Sequence, residues 1–374
     1  MMRRCTCAAI ALSGTVLLAP PSAAIAAEPA KAAKPAGDGK PTKKAVKNEP
    51  KAAEALFRGS EPVRLTITAP IGTLSRGGGA ADAGLPGTIS VAGSPEVLPI
   101  TLRPRGITRR KRETCPFPPM WLDFVGKPPA RSVFKGQNKL KLVTHCRSPS
   151  AFQQYVLVEY AAYRLYNVLT PTSFNVRLAS IDYVETDGRP VTSRIGFLIE
   201  DGGEVAKRNQ INEAKGVQRI RSIQLDARQA VRLAVFQYMI GNLDWAMTAG
   251  PPGSDCCHNA RLFNVGAATT GFLPAPYDFD YSGLVDAPYA APPASLNIAS
   301  VRTRRYRGYC TLNAEIPAVI AELNAKRPQL LAVFDDIPGL EPDVQAKART
   351  YLESFFAEIS TPDGVSDKIE KACL

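Results

Sequence analysis

The order of strand-like and helix-like segments is the feature that most limits the fold of this chain. Segments that alternate apolar and polar residues, such as "VRLTITAP" and "NKLKLVTHC", are concentrated before residue 200, and helical patterns dominate after it. One long helical pattern, "SPSAFQQYVLVEYAAYRLYNVLT", interrupts the β-rich part. Because strands and helices do not alternate regularly, a doubly wound parallel sheet is disfavoured. The sequence therefore predicts an α+β protein.

The first 57 residues carry the signs of an export signal followed by a spacer. Arg3 and Arg4 precede an apolar stretch that ends in small residues at "AIA", which is typical of a signal peptide over residues 1–26. Residues 27–57 are rich in Lys, Ala and Pro and predict a disordered tether. No later run is long and apolar enough to span a bilayer. We therefore expect a periplasmic or extracellular protein without a transmembrane segment once the signal is cleaved.

The cysteines and the net charge fit that compartment. Six cysteines follow the signal, and an even number in an exported chain favours disulfides over zinc, because no C-x-x-C spacing occurs. They are Cys115, Cys146, Cys256, Cys257, Cys310 and Cys373. A bond between Cys115 and Cys146 is expected because both lie in the β-rich part. The net charge of +12 favours acidic partners. Nucleic acid is not predicted as a partner, because no binding motif for it is present.

Several common catalytic motifs are missing from the sequence. There is no G-x-G-x-x-G or Walker-A loop and no G-x-S-x-G elbow. Only two histidines occur, His145 and His258, which leaves few partners for Ser–His or Cys–His catalysis. We interpret both histidines as structural or surface residues. Rossmann, P-loop and triad hydrolase sites are thereby disfavoured.

Acidic and amide residues after a helix and two short strands form the most informative pattern. "GNLDW" places Asp244 at the end of an apolar helix, "HN" places Asn259 before a strand, and "PYDFD" places Asp278 and Asp280 after another. A kinase centre has the same order: one Asp orients the acceptor hydroxyl, while an Asn and another Asp hold the metal. Their oxygens suit Mg²⁺ or Mn²⁺. Whether Asp278 or Asp280 takes the metal stays open, and Asp278 is favoured because it comes first.

The β-rich part contains residues that would complete such a centre. A strand lysine would reach the phosphates, a helix glutamate would pair with it, a basic turn "RGITRR" would cover the phosphates, and "GFLIED" would meet an adenine. The corresponding candidates are Lys141 or Lys139, Glu159, Arg105, Arg109 and Glu200. The cofactors expected from this set are ATP with Mg²⁺ or Mn²⁺.

The segments "RGITRR", "KLKLVTHC", "YVLVEYAAYRLYN", "GFLIED", "GNLDW", "HN" and "PYDFD" resemble the CotH-type spore-coat kinases. That resemblance implies a two-lobed, protein-kinase-like fold, with a β-rich N-lobe over residues 58–200 and a mainly helical C-lobe over residues 201–374. It implies Asp244 as the catalytic aspartate, metal at Asn259 and Asp278, and a Lys141–Glu159 ion pair. It further implies an exported kinase that phosphorylates Ser or Thr hydroxyls of an acceptor protein.

Two departures from the kinase pattern leave alternative functions open, and the first is the missing G-x-G-x-x-G loop. The fourteen residues "WAMTAGPPGSDCCH" separate Asp244 from Asn259, where kinases have four. A catalytically inactive kinase-like scaffold or binding protein of the envelope is therefore the alternative function, and transfer of a nucleotidyl group is a variant of the first. A glycan hydrolase that uses Asp244 with Asp278 or Asp280 ranks last. The basic run "RTRRYRGYC" is either a solvated face or a docking site for acidic substrates.

Overall fold

The computed structural model describes residues 54–374, so the predicted signal peptide and nearly all of the predicted tether lie outside the described residues. The described strands are β1 (Val63–Thr68), β2 (Leu85–Val91), β3 (Val97–Pro104), β4 (Met120–Phe124), β5 (Lys139–Val143), β6 (Val176–Val184), β7 (Pro190–Ile199), β8 (Asn212–Glu213), β9 (Ala260–Asn264) and β10 (Leu273–Pro276). The described α-helices are α1 (Ala55–Arg58), α2 (Ile71–Arg76), α3 (Gly79–Ala83), α4 (Ala151–Leu169), α5 (Gly202–Asn209), α6 (Ala227–Met239), α7 (Ile316–Ala332), α8 (Pro342–Glu358) and α9 (Pro362–Val365).

The first seven strands close into a mixed barrel in the order β1-β2-β3-β4-β5-β7-β6. Neighbours pair antiparallel except β1 and β6, which run parallel with Val63 opposite Ala179. Along β1 the side chains alternate between buried and more exposed positions, as its sequence predicts. The buried face of the strands fills the barrel with aliphatic side chains such as Ile67, Leu102, Leu122 and Leu140.

The predicted two-lobed, protein-kinase-like fold is wrong. The strands of residues 58–200 form a closed barrel rather than an open lobe, because β6 pairs with β1 and leaves this sheet without a free edge. Residues 201–374 are also not simply helical, since they contain a three-stranded sheet in the order β10-β9-β8. Alternating patterns in a sequence indicate where the strands are, but they do not show which two strands pair to close a barrel. The α+β content is retained, but the architecture is different.

Three local features complete the described fold. Between β1 and β2 the chain forms the short helices α2 and α3, which the buried side chains of Leu74 and Ala81 anchor. Pro328 lies inside α7, which is one continuous helix. The last residues of the predicted tether form α1, which buries Leu56 and Phe57.

The helices and the small sheet enclose a second apolar core beside the barrel. Helix α4 packs on β6 and β7 with one face and on α7 with another, so it joins the two cores. Buried aromatic rings line that junction: Tyr163 meets Phe279 at 4.6 Å between ring centroids, and Tyr166 meets Phe236 at 4.8 Å. No helix within the described part of the chain combines the length and the apolar character needed to cross a membrane.

All six cysteines that follow the predicted signal are paired. The bonds are Cys115–Cys146, as expected from the sequence, Cys256–Cys257 and Cys310–Cys373. The first ties the segment before β4 to the segment after β5. The third ties the residues before α7 to the C-terminal residues. Disulfides, rather than a zinc site, therefore account for these cysteines.

Removing the bond that closes the longest loop should destabilise the protein measurably. Cys310 and Cys373 are 63 residues apart, so the double change to serine should lower the free energy of unfolding by about 4 kcal/mol in the chain-entropy account. Removing Cys115–Cys146, with a separation of 31, should cost about 0.6 kcal/mol less. Urea denaturation of the three proteins measures both values. A loss below about 1 kcal/mol for Cys310–Cys373 would contradict this account.

Candidate functional site

A cavity of about 820 Å³ lies between the barrel and the small sheet, and we call it the central cavity. Its wall includes Arg105, Arg109, Trp121 and Lys141 from the barrel side, and Asp244, His258, Asn259, Arg261, Tyr277, Asp278 and Asp280 from the other side. Pockets that bind small molecules usually measure about 300–1,000 Å³. The candidate aspartates and the asparagine identified in the sequence therefore face one cavity of ligand size.

The end of α6 places Asp244 at the rim of this cavity. Asp226 caps the start of the helix by accepting a hydrogen bond from the Gln229 backbone N–H at 2.8 Å. The helix ends before Gly241, which has a left-handed φ of 64°. A side chain at this position would collide with the Tyr351 hydroxyl. The chain then turns, and the Asn242 side chain accepts from the Asp244 N–H at 3.0 Å. This hydrogen bond from its backbone N–H positions Asp244, and the Asp244 side chain remains about one-third exposed.

The long insertion between Asp244 and Asn259 folds back on itself at its base. The Ala246 N–H donates to the His258 carbonyl at 3.0 Å, and the His258 N–H donates to the Ala249 carbonyl at 3.2 Å. The insertion also contains the bonded pair Cys256–Cys257. The unusual spacing therefore does not prevent Asn259 from returning to the site.

The hairpin of β9 and β10 brings Asn259 and Asp278 to the same end of the small sheet. Ala260 pairs with Pro276, so the residue before β9 and the segment after β10 are neighbours. The Tyr277 N–H donates to the Asn259 carbonyl at 3.0 Å. Asn259 and Asp278 both have a positive φ, of 51° and 66°, a conformation that Asn and Asp adopt more readily than most residues. Such backbone positions are common at functional sites.

Asp244, His258 and Asn259 form one hydrogen-bonded group. The His258 Nε2–H donates to Asp244 Oδ1 at 2.7 Å, and the Asn259 amide donates to Asp244 Oδ2 at 3.0 Å. The hydrogen bond to Asp244 raises the pKa of His258 above its usual value. His258 was interpreted from the sequence as a structural or surface residue, so its contact with the candidate catalytic aspartate is a finding of the structure. Its position directly before Asn259 was the available signal.

Arg109 occupies the centre of a buried carboxylate cluster formed by Glu159, Asp278 and Asp280. Its guanidinium lies 3.1 Å from Glu159, 2.5 Å from Asp278 and 3.1 Å from Asp280. Arg105 approaches Asp278 from the cavity side at 3.9 Å. The predicted ion pair between Lys141 and Glu159 is absent from residues 54–374, because Glu159 pairs with Arg109 instead.

Helix α4 supplies two of the side chains that hold this cluster. Glu159 and Tyr163 are four residues apart and therefore share one face of the helix. The Tyr163 hydroxyl accepts the Asp278 N–H at 2.8 Å. The periodic helix pattern in the sequence is thus what aims Glu159 at the segment after β10.

Burial and charge act against each other in the cluster. Burial alone would raise the pKa of Asp278, but the guanidiniums of Arg109 and Arg105 hold it below its usual value. Burial raises the pKa of Glu159 and of Asp280 despite the same arginine. Neighbouring positive charge therefore outweighs the effect of burial on the pKa at Asp278 but not at Glu159 or Asp280.

Lys141 is a buried cation whose ammonium lies over aromatic rings and has no carboxylate partner in the described chain. Its Nζ lies 4.2 Å from the centroid of Tyr277 and 5.5 Å from that of Trp121. Burial, together with the positive charges of Arg105 and Arg261, lowers its pKa to about 7. An anion that enters the cavity would supply the missing opposite charge.

Two arginines extend this positive end of the central cavity. Arg105 is only 6% exposed, and its Nη1 atom has no hydrogen-bond partner within residues 54–374. Arg261 lies two residues beyond Asn259 on β9 and also lines the wall. A buried guanidinium with an unused donor is costly unless a ligand pairs with it. Arg105, Lys141 and Arg261 together define an anion-binding end of the central cavity.

Besides Glu159, two candidates from the sequence, Lys139 and Glu200, lie away from the cavity wall. Lys139 lies over the Trp121 ring, with its Nζ 4.5 Å from the centroid. Glu200 is fully buried and pairs with Arg208 at 2.9 Å, while it also accepts the Asn175 N–H. Its carboxylate therefore fixes the end of β7 and is not available to a ligand.

The basic run at residues 302–310 is largely structural. Arg304 contacts Glu358 at 2.9 Å and the Met239 carbonyl at 3.1 Å. Arg307 donates to the Leu243 and Trp245 carbonyls, which flank Asp244. These arginines fasten the end of α6, so most of the run does not form an open docking surface.

A smaller cavity of about 290 Å³ lies on the other side of the loop that carries Arg109. It is lined by Arg76, Arg110, Lys111 and Arg112, and its one acidic residue, Asp82, pairs with Arg110 at 2.6 Å. It contains none of the acidic and amide residues singled out in the sequence. The central cavity is therefore the candidate active site.

Comparison of the sequence with known protein-family models and with curated proteins finds no match.

Proposed function

We propose that this protein is an exported phosphotransferase that moves the terminal phosphate of ATP to a Ser or Thr hydroxyl of an acceptor protein, with Mg²⁺ or Mn²⁺. The observation that carries the proposal is the meeting of Asp244, Asn259 and Asp278 with Lys141 and Arg105 in one cavity. The proposal rests on these residues and not on the barrel, because a fold does not determine a function.

The positive end of the cavity suits the phosphates of the donor. Lys141 and Arg105 are buried, point into the cavity and lack full pairing, so they would neutralise phosphate oxygens without first breaking a strong ion pair of their own. Arginine and lysine at such sites form charge-assisted hydrogen bonds with phosphate. Trp121 and Tyr277 add aromatic surface to the same wall. These residues bind and orient the donor.

The opposite rim suits the acceptor hydroxyl. Asp244 is exposed enough to meet a hydroxyl from solvent, and His258 and Asn259 fix both of its carboxylate oxygens. As the phosphate forms its new bond to the hydroxyl oxygen, Asp244 would accept the hydroxyl proton. The leaving nucleoside diphosphate would keep the electron pair of the broken P–O bond. Asp244 is therefore the proposed catalytic residue.

The oxygen atoms needed by a divalent metal are present near the phosphate position. Asp278 and Asp280 provide carboxylates, and the Asn259 amide donates through nitrogen, which leaves its oxygen available. A buried Asp280 oxygen that receives no well-aligned hydrogen bond also fits an ion ligand. When bound, the metal would neutralise phosphate charge during transfer.

Export and the relationship to the CotH-type kinases are parts of the same proposal. Three disulfides fit an oxidising compartment outside the cytoplasm. Four of the resembling segments, "RGITRR", "GNLDW", "HN" and "PYDFD", all contribute residues to the wall of the central cavity. The basic composition favours acidic acceptor segments.

Nucleotide binding that depends on a divalent metal is the first test of this function. We expect titration calorimetry of the full chain to show ATP binding in the presence of Mg²⁺ or Mn²⁺. Binding should be weaker by about tenfold or more in the presence of a chelator, because the uncompensated triphosphate then faces the carboxylates. Absence of any ATP binding with either metal would contradict the proposal.

A nucleotide-binding protein without catalysis is the second candidate, and Arg109 is the observation that favours it. Its guanidinium already contacts Glu159, Asp278 and Asp280, so a cation occupies the cluster without a metal. ATP binding of equal strength with and without divalent metal, together with no transfer of label to any protein, would favour this candidate.

A further inference from the structure

The Glu159–Asp278–Asp280 cluster offers one oxygen from each carboxylate, and these atoms lie within 4.8 Å of one another. Three carboxylate oxygens at such separations suit a hard divalent cation. The sequence pattern indicated Asp278 and Asp280 as metal ligands, but it predicted that Glu159 forms an ion pair with Lys141. The structure instead places Glu159, which is only 2% exposed, in the same cluster as the two aspartates.

Two carboxylate oxygens of this cluster have no hydrogen-bond partner among the described residues and could each bind a cation. Glu159 Oε1 is buried and has no hydrogen-bond partner in residues 54–374. Asp280 Oδ2 lies 3.1 Å from the Arg109 Nε but receives no well-aligned hydrogen bond. Buried carboxylate oxygens are normally hydrogen-bonded or bound to a metal. Asp280 Oδ2 faces the guanidinium that now occupies the cluster, whereas Glu159 contacts that guanidinium through its other oxygen, Oε2.

Few backbone contacts hold the middle of the loop that carries Arg109 against the rest of the protein. Its backbone hydrogen bonds between Gly106 and Thr114 are local, such as Lys111 N–H to the Thr108 carbonyl at 3.1 Å. Gly106 has a φ of 89°, a conformation that favours glycine, and Cys115 anchors the far end through its disulfide. The loop is thus fixed at its ends, and side chains hold its middle in place.

We propose that Glu159, Asp278 and Asp280 form a divalent-cation site for which Arg109 is the built-in competitor. Arg109 supplies one positive charge to three carboxylates, whereas a divalent cation supplies two and can use the free oxygens of Glu159 and Asp280. Cation binding therefore displaces Arg109 and releases the loop toward the central cavity. The inference deepens the proposed phosphotransferase, but the cation site itself needs neither nucleotide nor acceptor.

Titration of the full chain with Mn²⁺ alone tests the competition. The variant Arg109→Gln should bind one Mn²⁺ more tightly than the native protein, on the order of tenfold or more, because a buried positive charge next to the ion is removed. Arg110→Gln is the matched control: Arg110 is the next residue in the same loop, but it pairs with the exposed Asp82. Its Mn²⁺ affinity should equal that of the native protein.

A second substitution assigns the ligand. Adding Glu159→Gln to Arg109→Gln should remove the gain in Mn²⁺ affinity. If the gain survives, or if a folded Arg109→Gln variant binds Mn²⁺ no more tightly than the native protein, the proposal is overturned. Failure of the phosphotransferase proposal alone would leave these Mn²⁺ results unchanged.

The native protein provides a test that does not depend on the folding of any variant. Saturating Mn²⁺ should increase hydrogen–deuterium exchange in residues 106–113, because the loop loses its Arg109 anchor. Exchange in β9, at Ala260–Asn264, should stay constant as an internal reference. Mn²⁺ that binds without changing exchange in the loop would show that Arg109 is not the competitor.

Discussion

Replacing Asp244 by asparagine should lower kcat for phosphate transfer by about 10²- to 10⁴-fold, the usual contribution of a positioned general base. The amide keeps the shape of the carboxylate and can still accept the His258 hydrogen bond, but it cannot take up a proton. The Asn259 amide retains its second acceptor, the Asp244 carbonyl at 2.7 Å. The affinity for ATP should therefore change little.

The measurement is transfer of a labelled terminal phosphate from ATP to an acidic, Ser-containing acceptor protein, with calorimetry for ATP affinity. Asp286→Asn serves as the control, because Asp286 is an exposed aspartate that pairs with Arg302 at 3.3 Å. Its kcat should match that of the native protein. Transfer by Asp244→Asn at the native rate would exclude Asp244 as the base.

The affinity for the triphosphate should decrease as pH rises above about 7. Burial lowers the pKa of Lys141 to about 7, so the free protein loses this ammonium near neutral pH. A bound anion stabilises the protonated form and raises the pKa of Lys141 in the complex. Between the two pKa values, binding takes up a proton, and the affinity should fall by about tenfold per pH unit. Well below pH 7, Lys141 is already charged and this dependence should disappear.

Calorimetry with a non-hydrolysable ATP analogue in buffers of different ionisation enthalpy measures the proton uptake directly. Lys141→Arg should remove this part of the pH dependence, because arginine stays protonated. Lys139→Met should leave it intact, since Lys139 lies over Trp121 and outside the cavity wall. An identical pH dependence in the native protein and in Lys141→Arg would show that Lys141 does not contact the phosphates.

The sequence pattern selected several residues that line the central cavity, but it did not predict the fold. Asp244, Asn259 and Asp278 each follow or precede a regular element, and such positions meet when the elements pack at one edge. The barrel could not be inferred because alternation shows that Val63–Thr68 is a strand but not that it pairs in parallel with Val176–Val184. Long-range pairing depends on register and packing, which a local pattern does not contain.

The ion pairs were also beyond the reach of the sequence. Lys141 and Glu159 lie in consecutive elements, which suggested a pair, but Arg109 reaches Glu159 first from the loop after β3. Glu200 was assigned to a ligand, although Arg208 lies eight residues further on and takes its carboxylate. The chain has 46 Lys and Arg residues, and only the packed structure decides which of them pairs with a given carboxylate.

The hairpin of β6 and β7 has a consequence for the order in which the protein can assemble. It inserts between β5 and β1, so both outer strands of the preceding five-stranded sheet remain unpaired until it arrives. Unpaired outer strands readily join other chains. A nascent chain that stops before Val176 is therefore exposed to aggregation, and the contacts that close the barrel, being distant in sequence, form slowly.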